Sequence, residues 1–240
     1  MRTSHYIRVF AAVTVCYFLT TGTGFAASLI LNGGFESGFA SWTRAVQLGS
    51  EGNFLLQTGT VSPTNLDSVP APPGGTFAAM TDALGPGSHV LYQDFVVPTA
   101  SAALSFSLFV GNRANAFATP ATLDFSTPVL NQQARVDILK AGTDPFSVAS
   151  SDVLLNLYQT HTGDPLISGY NSFNFNLSPL FSSNIGQTLR LRFAETDNVF
   201  TFQFGVDNVS LESPASVPEP SSLVSIAAGL LVLLGMRRLR

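Results

Sequence analysis

The chain has 240 residues, 45% of them hydrophobic and 11% charged, with a formal net charge of −4. Between residues 27 and 213, six basic side chains, one of them a lysine, stand against fourteen acidic ones, a net charge of −8. That balance argues against nucleic acid or an anionic membrane as partner, and the length suffices for one domain with a real core.

At the start, Arg2 and Arg8 form a basic region, Val9 to Leu19 is mostly apolar, and Gly24-Phe25-Ala26 offers small residues at an A-x-A-like cleavage site. Residues 1–26 therefore read as a secretory signal peptide, a substrate of the secretion machinery and signal peptidase. Cys16, the single cysteine, lies in its apolar part as filler. The mature chain is then left without a disulfide or a thiolate metal site.

From residue 27 to 213 the periodicity is that of strands. Apolar residues alternate with serine in Leu104–Leu108, with asparagine in Phe173–Leu177 and with arginine in Leu189–Phe193; Phe202–Val206 is a fourth case. Further strands are expected over Ser41–Val46, Phe77–Thr81, Val90–Val97, Arg135–Lys140 and Val153–Tyr158. Asp207-Asn208 interrupts the alternation before Val209-Ser210-Leu211, which predicts a bulge. Pro70–Gly75, Gly85-Pro86-Gly87, Thr143-Asp144-Pro145 and Gly163-Asp164-Pro165 are turn signals, and 112–133 reads as an exposed loop. About ten short strands with such breaks predict an all-β sandwich or barrel.

The tail, 214–240, has three parts. Val217-Pro218-Glu219-Pro220-Ser221 is an extended, accessible motif. A candidate transmembrane helix follows over 222–236, and its uncharged core, Leu223–Met236, has 14 residues. As a helix that core would be ~21 Å long against a hydrocarbon layer of ~30 Å, a marginal span suited to a temporary hold. Arg237, Arg238 and Arg240 should stay cytoplasmic and stop translocation, which leaves the bulk of the chain outside. A permanent single-span anchor is the alternative.

Motif, span and basic end in this order resemble the sorting signal of bacterial PEP-CTERM proteins. The resemblance implies processing at Pro218-Glu219-Pro220 by an exosortase, in a bacterium that makes exopolysaccharide, with the protein ending at the cell surface or in a biofilm matrix. A second resemblance covers the domain. Leu31-Asn32-Gly33-Gly34-Phe35-Glu36 followed by Trp42, Leu91–Phe95, and the closing Phe204–Leu211 are similar to the galactose-binding-like jelly rolls, which include many carbohydrate-binding modules. It implies a jelly-roll β-sandwich over 27–213 and a structural calcium between first and last strands, held by Glu36 and Asp207 with carbonyls near Asn32–Gly34. Calcium takes six to eight oxygens, so such a set suffices; the alternative is that both carboxylates cap turns.

Trp42 reads either as a sugar-stacking platform or as a core residue whose indole N–H meets a carbonyl; Tyr92, Tyr158 and Tyr170 are further stacking candidates, Tyr170 the least core-like. Catalysis finds little support: no G-x-S-x-G, H-E-x-x-H or P-loop pattern occurs. Glu195 and Asp197 are expected on a solvated strand edge, Arg190 and Arg192 on a wet face, and His89 and His161 at the surface. The sequence thus predicts a non-catalytic exported protein that binds polysaccharide; a glycan-processing enzyme and a purely structural surface protein are the alternatives.

Overall fold

The computed structural model describes residues 28–213. The signal peptide expected over 1–26, and the tail over 214–240 with its helix 222–236, lie outside the described residues. Among the described residues no helix is long and apolar enough to cross a membrane.

Among the described residues ten strands form in chain order: β1 (Thr43–Val46), β2 (Asn53–Gln57), β3 (Ala78–Asp82), β4 (Gly87–Val96), β5 (Ala103–Asn112), β6 (Gln132–Lys140), β7 (Val153–Gln159), β8 (Asn171–Asn176), β9 (Thr188–Asp197) and β10 (Phe202–Glu212), with one short helix, α1 (Ser178–Ser182), between β8 and β9. They make two antiparallel five-stranded sheets, the first ordered β1-β4-β9-β6-β7 and the second β2-β3-β10-β5-β8. The molecule is a β-sandwich.

Side chains alternate across a strand, so the period-2 segments each send one set inward. Leu104, Phe106 and Leu108 of β5 and Leu189, Leu191 and Phe193 of β9 are buried in the common core. Phe106 lies at its centre, its ring 5.5 Å from that of Phe193 in the other sheet at an angle of 86°, and 5.7 and 5.5 Å from Phe173 and Phe175. Edge-on aromatic contact of this kind adds to the burial of the rings.

The bulge expected at Asp207-Asn208 is present. The β10–β5 register shifts between Asp207 and Ser210, and Asn208 takes a left-handed φ of 52°. The sequence reading overlooks β2, whose apolar run Phe54-Leu55-Leu56 hides the alternation although it pairs with β3 along its length. It also makes 112–133 too exposed. The connection before β6 folds back over the outer face of the first sheet, where Leu123 packs against Val90 and Ala194 beside Phe146 and Val148. Its carbonyls are taken up by side-chain amides: Asn131 Nδ2 donates to Thr122 and Asp124, Gln133 Nε2 to Pro120 and Thr122, and Asn198 Nδ2 to Phe125 and Val129. A polar composition marks this segment as irregular, yet it does not make it exposed.

Candidate functional site

The opening motif owes its residues to the close approach of the chain's two ends. Asn32 adopts φ 53°; its side chain donates to the Gly38 and Ala40 carbonyls and accepts from the Ser37 N–H, closing the turn. Gly33 lies so near β10 that a Cβ there would stand 1.8 Å from the Val209 carbonyl oxygen. Its own carbonyl accepts the Val209 N–H at 2.9 Å. Phe35 is fully buried, 5.4 Å from the ring of Trp42. Trp42 is a core residue, and its indole N–H donates to the Asn32 carbonyl at 3.0 Å.

Glu36 and Asp207 both reach the loop before β3. Glu36 Oε1 accepts the Thr76 and Phe77 N–H groups at 2.8 and 2.9 Å. Asp207 Oδ2 accepts the Gly74 N–H at 3.0 Å, and Oδ1 the N–H of Asn208 at 2.7 Å. Burial pushes the Asp207 carboxyl up to about 6, the amides pull it down, and the Glu36 charge adds to the rise. Neither carboxylate is ion-paired to a lysine or arginine among the described residues.

The arginines of β9 are not on a wet face. Arg192 is fully buried and shares Asp137 with Arg135; Arg190 is 6% exposed, pairs with Asp94 at 2.7 Å and lays its guanidinium 3.8 Å above the Tyr92 ring. The loops after β5 and β6 cover this face, which one strand's periodicity cannot reveal. Nor are His89, Glu195 and Asp197 at a solvated edge. All three are buried, on inward-facing positions of the paired strands β4 and β9. His161 is exposed, as expected.

Each of the three candidate tyrosines, Tyr92, Tyr158 and Tyr170, has a packing partner for its ring. Tyr92 carries Arg190. The Tyr158 ring lies 5.2 Å from Phe173, and burial, with the Asp164 charge, pushes its hydroxyl up to about 12. Tyr170, expected to be the least core-like of the three, lies over Gly205 with its ring 5.8 Å from Phe109, and its hydroxyl donates to Gln57 at 2.7 Å.

An open groove of about 730 Å³ runs along β8 and β5 of the second sheet. Asn174, Asn176, Ser105 and Ser178 supply hydroxyl and amide groups, Glu212 a carboxylate, and Phe175 an apolar flank. The asparagines that alternate with phenylalanine in β8 point outward here, exposed, while Phe173 and Phe175 turn toward the core. This lining can exchange several hydrogen bonds with a hydroxyl-rich ligand.

Among solved structures, the fold is similar to TmCBM61 in complex with beta-1,4-galactotriose (12% identity, 78% of this chain and 98% of that one, TM-score 0.44). It is also similar to the K3 cleaved adhesin domain of Lys-gingipain from Porphyromonas gingivalis (14%, 78% and 99%, 0.48) and to a Stig cyclase from Fischerella (18%, 80% and 100%, 0.41). No curated protein matches the chain. Residues 216–239 match the PEP-CTERM protein-sorting motif. That stretch contains the expected Val217, Pro218, Glu219, Pro220 and Ser221 and the arginines Arg237 and Arg238. The chain carries a PEP-CTERM sorting signal, which implies export and processing by an exosortase-type enzyme.

Proposed function

We propose that the protein is carried across the inner membrane, held there briefly by its tail, and processed at Pro218-Glu219-Pro220. It then acts at the cell surface or in the biofilm matrix as a non-catalytic module that binds the producer's exopolysaccharide. The observation that carries this reading is the groove along β8. Its exposed Asn174 and Asn176, with Ser105 and Glu212, line an open surface of about 730 Å³ shaped for a chain rather than enclosed for a small molecule. The order of β3 to β10, with β3-β10-β5-β8 in one sheet and β4-β9-β6-β7 in the other, suits the jelly roll implied by the opening and closing motifs.

The test is retention and turnover on the producer's own exopolysaccharide. Retention without cleavage is expected, with affinity falling about tenfold or more in Asn174→Ala/Asn176→Ala at unchanged melting temperature. Cleavage of the polymer would make the protein an enzyme. Failure of both assays would leave a structural surface protein.

Calcium is the ion proposed for the junction of Glu36 and Asp207. Two carboxylates, the Glu36 charge adding to the rise of Asp207, without a basic partner among the described residues, are hard oxygen donors of the kind calcium takes. Glu36 and Asp207 would hold it there and fasten the loop before β3 to both ends of the chain. The backbone amides that they accept are compatible with this, since each carboxylate has lone pairs to spare.

A further inference from the structure

At one end of the sandwich, between the sheets, β4 and β9 bring together His89, Glu195 and Asp197. One donor atom of each lies within 4.8 Å of the others, and all three side chains are buried. His89 and Glu195 face each other in register across the strand pair. Asp197 follows two residues along, on the same face. Gly87 makes room for the imidazole: a Cβ at that position would meet His89 Cε1 and Nε2 at 2.6 Å.

The hydrogen bonds determine which way the imidazole lone pair points. His89 Nε2 lies 2.7 Å from the Glu51 carbonyl oxygen, which can only accept, so Nε2 carries the proton. In the neutral ring the lone pair is then on Nδ1, aimed at Glu195 Oε2 2.8 Å away. Two electron pairs at that distance need a positive centre between them, a proton on Glu195 in the empty site or a metal ion in the filled one. The other oxygen, Glu195 Oε1, has no hydrogen-bond partner although Glu195 is 1% exposed. The Thr81 hydroxyl on the facing sheet is committed elsewhere: it accepts the Phe204 N–H at 2.9 Å and donates to the Phe202 carbonyl at 3.3 Å. Asp197 accepts one N–H, from Gly87, at 3.0 Å. Neither carboxylate is ion-paired to a lysine or arginine among the described residues. A dry site with two carboxylates, one lone pair and no cation is an expensive arrangement to keep ionised.

We propose that His89 Nδ1, Glu195 and Asp197 bind one divalent transition-metal ion of the zinc class. Two carboxylates and a neutral imidazole cancel its double charge. A mixed nitrogen and carboxylate set suits zinc better than calcium or magnesium, which prefer oxygen throughout. The 2.8 Å between Nδ1 and Oε2 is a hydrogen-bond distance; two donors each ~2.1 Å from a tetrahedral ion stand about 3.4 Å apart, so the pair opens by roughly half an ångström on binding. The Nε2–H bond to Glu51 is the kind of outer contact that orients a ligating histidine. Burial disfavours the charged form of each group: it lowers His89, raises Glu195 and, with the Glu195 charge, pushes Asp197 up to about 8. Asp197 also lines an open cavity of about 220 Å³ with Leu84, Pro86, Asn198 and Phe200, which gives the ion an entry path and room for a fourth ligand from solvent. This site is separate from the Glu36–Asp207 junction and does not depend on the polysaccharide reading.

The full chain, stripped with chelator, is titrated with zinc chloride. One equivalent is expected to bind, and the melting temperature should rise by roughly 5–10 °C at a hundredfold excess over Kd. Glu195→Gln and Asp197→Asn should each weaken binding at least tenfold, while His161→Ala leaves it unchanged. X-ray absorption at the zinc edge of the His161→Ala protein should show one imidazole nitrogen and carboxylate oxygens, a readout that does not require the ligand variants to fold. No stoichiometric binding of zinc, manganese or cobalt would overturn the proposal. So would binding that survives in both ligand variants, or a zinc shell without imidazole.

Discussion

Arg192 of β9 and Asp137 of β6 meet inside the molecule, Nη2 to Oδ2 at 2.5 Å, both fully shielded from solvent. Arg135 supplies a second guanidinium to the same carboxylate, at 2.7 Å from each oxygen, and Asn156 Nδ2 donates at 2.8 Å. Arg192 Nη1 also donates to the Pro145 and Ser147 carbonyls, which ties the loop after β6 down over the sheet. Removing one partner of a buried pair leaves the other charge uncompensated. Arg192→Ala should therefore cost about 3 kcal/mol in urea unfolding, the lower part of the usual range because Arg135 remains.

The same carboxylate predicts how the fold responds to acid. Burial opposes ionisation of Asp137, but the Arg135 hydrogen bonds and the Arg192 charge outweigh it and hold the group below its ordinary 3.8. A depressed folded pKa contributes stability that is complete above the unfolded value and lost as pH falls through the folded one. Melting temperature should fall below about pH 4, and the fall should be shallower in Asp137→Asn, from a lower starting stability.

Gly33 tests the closure of the domain. Gly33→Ala drives a methyl into the Val209 carbonyl and should cost at least ~3 kcal/mol, a steric conflict of backbone with backbone that side-chain repacking cannot relieve. Gly169, where an added Cβ would meet nothing within 4 Å, is the control; Gly169→Ala should melt within a degree or two of the wild type, about 0.5 kcal/mol.

Trp42 is the single tryptophan and reports on the core rather than on ligand. Its fluorescence should shift to the red on unfolding. Saturating polysaccharide should leave it unchanged, and quenching in a titration would place the ligand at the opening turn instead of along β8.

Asp207 and calcium are linked through charge. Its folded pKa, about 6, is above the ordinary 3.8, so its contribution is fully present below 3.8 and lost as pH rises through 6. In chelator, the melting temperature should therefore decline between pH 4 and 7 by an amount that Asp207→Asn removes. Calcium should restore the loss above pH 6 in the wild type and not in the variant.

For the tail, mass spectrometry of the surface-exposed protein should find a C-terminus upstream of Arg240, and Glu219→Ala should leave Arg240 in place. An intact Arg240 on the wild-type surface protein would rule out sorting by cleavage.

Sequence alone was enough for the strands other than β2, the bulge at Asp207-Asn208, the core place offered to Trp42 and the sorting motif, because each is written in local spacing. Alternation states which side chains share a face, and Leu189–Phe193 shows its limit: Arg190 and Arg192 do point away from the core, yet loops from elsewhere in the chain bury them with Asp94 and Asp137. Likewise Glu195 and Asp197 do share a face, but it is the inner one, and His89 reaches them from a strand 106 residues away from Glu195 in sequence. What a strand faces depends on long-range pairing and on what folds over it. Burial then turns ordinary surface residue types into ion pairs and a ligand set, and only the tertiary structure decides that.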